Sequence, residues 1–338
     1  MFTRKSGQLF LFVLATVFGL LGGSLSPHAS EAPFSSGITL DEFADTATGK
    51  TISVAIFYPT NALEQITKLG PVSLSVAMNA VPADGKHPFI VLSHGYQGAG
   101  LGHRTTARYL ARRGYIVATP THPGDNYKDQ SSIGTVDQFT GRPRHISLVI
   151  DGVLKHQRLA KSVDRRIGLI GFSAGGYGVV AAVGAKPDLN EWRPYCDDHR
   201  DDRVYCPAPA TNFPAQLPIK VESRIGAVVA MSPGFGMLFD AEALSTIDVP
   251  IRLYRAEKDQ VNSFELVRRF EQFLPADTTE KVVVKNANHF AFLSPCSKSQ
   301  KARALIICGD PEGFDRDSFQ RQLNAEIDEF FTRTLRSR

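Results

Sequence analysis

The sequence predicts an α/β protein on a mostly parallel, doubly wound sheet with helices on both faces. Three observations carry that expectation. Short apolar runs of strand length alternate with segments of helical spacing along most of the chain. One such run, residues 167–172, stops at Ser173 between Gly171 and Gly175, then passes straight into a small-residue run of helical type. Polar residues suited to acid–base work fall just after strand-like runs, the end of a parallel sheet where ligands bind.

In order, residues 38–43 and 52–58 read as a leading hairpin, and the poorly periodic stretch 60–86 as a long connection. Residues 88–93, PFIVLS, form a buried-type strand that runs into His94-Gly95-Tyr96-Gln97-Gly98. An amphipathic helix at 105–113 stops at Gly114, and 115–119 is the next strand. Residues 122–143, with Gly, Pro, Asp and Asn throughout, read as a loop. Helical spacing follows over 144–162 through Ile146, Val149, Val153, Leu154 and Leu159. After the strand ending at Phe172 and its helix, residues 185–223 break the rhythm with Trp192, Cys196, Cys206, an acidic run and several prolines. Strands at 225–231, 250–254 and 281–285 and helices at 264–273 and 319–335 resume it. No repeat or linker divides the chain, so residues 31–338 are expected to be one domain with an insertion at 185–223.

The 338 residues are 43% hydrophobic and 21% charged, an ordinary globular balance. Arg4 and Lys5 precede an apolar run at 9–21, then Gly, Ser and Pro, which reads as a secretory signal within residues 1–30. An uncleaved membrane tether is the alternative. Loss of Arg4 and Lys5 takes the formal charge from +4 to +2, too nearly neutral to favour nucleic acid as a partner. The pairs Arg142/Arg144 and Arg165/Arg166 read as solvated faces. Four cysteines, Cys196, Cys206, Cys296 and Cys308, in an exported chain suggest disulfides. Three pairings are possible; the sequence-local one, Cys196–Cys206 and Cys296–Cys308, is preferred. A zinc site is disfavoured by the lack of C-x-x-C or a close histidine pair.

Strand, tight turn and helix around Gly-x-Ser-x-Gly are the setting of a nucleophile elbow. Candidate partners must sit just beyond strand ends. Asp259 follows 250–254 by a short loop and qualifies; Asp248 precedes that strand and does not. His289 follows 281–285 and qualifies. His145, His156 and His199 are expected at the surface, and His122 precedes the serine. Ser173, Asp259 and His289 come in the chain order of α/β-hydrolases. The backbone N–H groups of Ala174 and Tyr96 are the expected oxyanion donors.

The strings LSHGYQG, THPGDN, GFSAGG, YRAEKD and NHFAFL resemble the secreted bacterial branch of the dienelactone-hydrolase-like proteins. They are also similar to platelet-activating-factor acetylhydrolases and to polyester-hydrolase or cutinase-like lipases. The resemblance implies a serine carboxylic ester hydrolase acting on small or lipid-like esters, without metal or cofactor. True dienelactone hydrolases use cysteine where this chain has Ser173, and the HGGG form of hormone-sensitive-lipase esterases is absent. A serine peptidase of the prolyl-oligopeptidase kind and a non-catalytic binding protein on a hydrolase scaffold are the competing classes. The protein is expected to be secreted or periplasmic. The insertion is expected to pack under the sheet, away from the catalytic edge; a lid carrying Trp192 and Tyr195 is the alternative.

Overall fold

The computed structural model describes residue 1 and residues 32–206, 214, 216–302 and 304–336. The basic pair and apolar run of the expected signal lie outside the described residues.

From residue 32 onward the described residues open with strands β1 (Ser35–Asp45) and β2 (Lys50–Thr60), paired antiparallel in full register. Residues 60–86 are not a plain connection. They hold a second hairpin, β3 (Gln65–Leu69) and β4 (Val72–Met78), turned by Gly70 at φ +58° and Pro71. β4 joins the sheet through a short parallel pairing with β1. Both faces of this edge are partly solvated, which blurs the apolar alternation a half-buried strand would show.

The parallel part comprises β5 (His87–Ser93), β6 (Ile116–Thr121), β7 (Val163–Phe172), β8 (Ile225–Met231), β9 (Ile251–Ala256) and β10 (Thr279–Val284). The ten strands run in the order β10-β9-β8-β7-β5-β6-β2-β1-β4-β3. Along β5 every residue is buried, with Phe89 and Val91 in one core and Ile90 and Leu92 in the other. That two-sided burial is why the strand reads as a continuous apolar run.

One core is closed by α2 (Val136–Leu154), α3 (Ala174–Ala182) and α6 (Phe264–Phe273). The other is closed by α1 (Arg104–Arg112) and α9 (Arg316–Phe331), which continues as a π turn to Arg336. Among the described residues there are also short helices α4 (Trp192–Asp198), α5 (Ala241–Ser245), α7 (Lys298–Lys301) and α8 (Leu305–Cys308). The described residues from 32 onward form one compact unit.

α2 begins eight residues before the boundary read at 144 and ends at Leu154, not 162. Pro143 lies inside it rather than closing a loop. A helical proline has no N–H for the carbonyl four residues back, here that of Phe139. The Tyr177 hydroxyl, on α3, donates to that carbonyl at 3.3 Å, so the orphaned acceptor is satisfied.

Candidate active site

Ser173 sits on the turn between β7 and α3 with φ +54° and ψ −120°, a conformation that costs a non-glycine residue about 1–3 kcal/mol. Neighbouring backbone holds it there. Its N–H donates to the carbonyl of Met231 at 3.0 Å, and Gly234 N–H donates to its own carbonyl at 2.9 Å. A Cβ on Gly171 would lie 2.2 Å from the Gly175 oxygen, and one on Gly175 would lie 2.1 Å from the Ser93 oxygen. Only glycine allows β5, β7 and α3 to meet so closely.

Asp259 lies in the loop after β9 and His289 in the loop after β10, beyond the ends of adjacent strands. Nδ1 of His289 is 2.8 Å from Oδ2 of Asp259, with the side chains 2% and 3% exposed. A carboxylate only accepts, so the proton of the neutral ring is on Nδ1 and Nε2 is left with its lone pair. Asp259 Oδ1 accepts from the N–H groups of Val261 at 2.9 Å and Asn262 at 2.7 Å, so both carboxylate oxygens are engaged. The His289 ring packs 4.8 Å, centroid to centroid, from Phe172, the residue before Ser173. Ser173 Oγ and His289 Nε2 make no hydrogen bond to each other among the described residues.

Tyr96 is half-buried in the loop after β5, and Ala174 opens α3. Neither backbone N–H has a hydrogen-bond partner among the described residues. They are two available donors, one from each of the turns that follow β5 and β7.

Behind the β5 loop lies a buried polar cluster that takes in Arg142 and His145, both expected at the surface. Arg142 is 2% exposed, not part of a solvated face. Its Nε and Nη2 hold Asp125 Oδ2 at 2.9 and 2.7 Å, and its Nη1 donates to the carbonyl of His94 at 2.5 Å. Nη2 also reaches the Gly95 carbonyl at 3.2 Å. A guanidinium can enter this buried site because a carboxylate and the backbone carbonyls of the donor loop match its charge and fork.

His145, expected at the surface, is also buried. A chain of contacts runs from Ser93 Oγ to His122 Nε2 at 2.8 Å, from His122 Nδ1 to His145 Nδ1 at 3.2 Å, and from His145 Nε2 to Asp45 Oδ2 at 3.3 Å. A carboxylate oxygen only accepts, so His145 carries its proton on Nε2; His122 then donates from Nδ1 and accepts from Ser93. His94 is fixed likewise: its Nε2 accepts from the His122 N–H at 3.1 Å and its Nδ1 faces the Gly95 carbonyl at 2.6 Å. Burial and the Arg142 charge push His94 down to about 3 and His122 well below the usual imidazole value. Burial and Arg144 push His145 down to about 4. The three rings are neutral at pH 7. His156 is also largely buried, against Asp41 at 2.6 Å, and His199 is half-buried.

Disulfides join Cys196 to Cys206 and Cys296 to Cys308. The second lies just after His289 and is tied to it: Asn288 Nδ2 donates to the Gly309 carbonyl at 2.7 Å. The insertion does not stay under the sheet. It leaves from the end of α3, and Glu222 N–H returns to the Ala182 carbonyl there at 2.8 Å, but its middle climbs. Trp192 packs edge-on against Phe139 at 5.1 Å, and Tyr205 against Phe235 at 4.8 Å, so its large aromatics bury themselves along the face beside the serine turn.

No family profile matches the chain, and no curated protein matches it. Among solved structures it is similar to a ferulic acid esterase from Streptomyces cinnamoneus, at 18% identity over 92% of each chain with a TM-score of 0.64. The chain has an α/β-hydrolase fold.

Proposed function

We propose that this chain is a serine carboxylic ester hydrolase. The observation that carries the reading is the 2.8 Å bond between His289 Nδ1 and Asp259 Oδ2, made beyond adjacent strand ends two strands from the strained turn of Ser173. Nε2 of His289 takes the Ser173 proton as Oγ attacks an ester carbonyl, then gives it to the departing alcohol. Asp259 holds the tautomer and stabilises the imidazolium. The N–H groups of Ala174 and Tyr96 receive the charge on the carbonyl oxygen. Water, activated by the same imidazole, releases the acid. The hydrogen bond from Ser173 Oγ to His289 Nε2 that this transfer needs forms in the substrate complex.

The substrates are small or lipid-like esters. The neighbour named as a ferulic acid esterase adds aromatic acyl groups to that range. The motif strings resemble those of the dienelactone-hydrolase-like and acetylhydrolase-like serine esterases, which supports a serine esterase of that kind. Two disulfides fit work in an oxidising compartment, secreted or periplasmic.

A fluorophosphonate probe tests the reading directly. Wild type should be labelled and Ser173→Ala should not. p-Nitrophenyl esters from acetate to palmitate, a ferulate ester, an oxidised phospholipid and a polyester film rank the substrates. Absence of both labelling and hydrolysis would refute it.

A further inference from the structure

Tyr205 lies in the insertion, far in sequence from the proposed catalytic residues, yet it is buried with its hydroxyl beside Asn262 of the Asp259 loop and Gly234, which braces the Ser173 turn. It donates to Asn262 Oδ1. Asn262 Nδ2 donates to the carbonyl of Ser232, just past β8, at 2.5 Å, and Asn262 N–H supports Asp259 Oδ1 at 2.7 Å. The same hydroxyl crowds the turn of Ser173: a Cβ on Gly234 would lie 2.6 Å from it, and Gly234 N–H donates to the Ser173 carbonyl. One oxygen therefore touches the loop that holds the acid and the residue that braces the nucleophile.

Tyr205 is itself held on every side. Its N–H donates to Asp202 Oδ1 at 3.0 Å, and its carbonyl accepts from the Trp192 indole at 2.7 Å. Its ring meets Phe235 edge-on, and the next residue is bonded to Cys196. Asp202 is fixed in turn by the Tyr195 hydroxyl at 2.7 Å. The disulfide closes this small frame, whose inward-facing product is the position of the Tyr205 hydroxyl.

We infer that Tyr205 is a positioning residue for the Asp259 loop and the Ser173 turn, acting through Asn262, and that the Cys196–Cys206 bond holds it in place. The inference rests on the proposed hydrolase reading. It assigns the insertion a share in turnover and makes the bond more than a staple on a remote loop. Loss of the hydroxyl leaves Asn262 Oδ1 without its donor, and the loop that presents Asp259 loses its stop.

The test uses the full protein and one p-nitrophenyl ester. Tyr205→Phe keeps the ring against Phe235 and removes only the oxygen. It should lower kcat by ~10-fold or more with little change in KM, as misplacement of a catalytic group does. The Cys196→Ser/Cys206→Ser variant, assayed well below its melting temperature, should show the same pattern. In an Asn262→Ala background, Tyr205→Phe should cost nothing further, because the two act in series. A folded Tyr205→Phe protein with wild-type kcat, or full multiplication of the two losses, overturns the inference. If the disulfide variant fails to fold, Tyr205→Phe alone decides. An inactive wild type, or activity surviving in Ser173→Ala, refutes the hydrolase reading instead.

Discussion

The guanidinium of Arg142 grips the carbonyl of His94 at 2.5 Å and the carboxylate of Asp125 at 2.7 Å, joining the loop after β5 to the loop after β6. That grip fixes where the Tyr96 N–H stands. Arg142→Lys cannot span both partners and should lower kcat by ~100-fold, the scale of a lost oxyanion donor. Arg142→Met, which leaves the Asp125 carboxylate buried without its counter-charge, should also destabilise the fold by about 3–5 kcal/mol. Urea unfolding measures the second effect and steady-state kinetics at low temperature the first. A folded Arg142→Lys enzyme with unchanged kcat sinks this role.

Ser173→Ala and His289→Ala should each remove nearly all hydrolysis, by at least ~1000-fold, and the double variant should be no worse than either. Asp259→Asn should lose activity too, since an amide can no longer fix the tautomer. Asp248→Asn, at the opposite end of β9, should be silent. Initial rates on one ester are enough to check all four.

The mostly parallel, doubly wound sheet was legible in the alternation of strand and helix patterns, and the rule that such a sheet confines chemistry to one edge is what singled out Ser173, Asp259 and His289 as candidates. Arg142 was not, although a signal was present. Phe139, Arg142, Ile146, Val149 and Val153 follow helical spacing on one buried stripe. A lone arginine on such a stripe points to a buried pair. Pro143 hid it by reading as a helix stop, and only the hydroxyl of Tyr177, distant in sequence, removes that objection. The histidine chain and the climb of Tyr205 were illegible for a related reason: each depends on partners brought from separate loops.

Buried neutral histidines should make the fold sensitive to acid. Burial holds His94 at about 3 and His145 at about 4, and with Arg104 nearby it holds His103 at about 4. The unfolded chain protonates each of them below its ordinary value of 6.5, while the folded chain does not. Stability is fully present above that value and falls as pH drops toward the folded values, by up to about 1.4 kcal/mol per pH unit for each ring. Urea midpoints should decline between about pH 6.5 and about pH 4. Constant midpoints would show that the rings take up protons while folded.

The Cys296–Cys308 bond encloses a loop of sequence separation 12 that reaches the residue before His289 through Asn288 and Gly309. Replacing both cysteines with serine should cost about 2–4 kcal/mol. It should lower kcat as well, because the histidine loop loses its anchor. Thermal melts and kinetics on the same preparation separate the two effects. A drop in melting temperature with kcat untouched would leave the bond a purely stabilising role.

The sheet order also has a kinetic meaning. β9 and β10 sit at one outer edge and bring the acid and the base, while the serine follows an interior strand flanked by β5 from earlier in the chain and β8 from later. β5 and β7 pair with His87 opposite Val163, a far wider separation than Ile251 opposite Thr279 in β9 and β10, and pairings so distant form slowly, since the intervening chain must be closed first. A refolding chain can therefore pair its last two strands while β7 is still undocked from β5, and such a species has an acid and a base without a placed nucleophile. Ester hydrolysis should return after the far-ultraviolet circular dichroism signal, and the lag between them times the docking of β7 on β5.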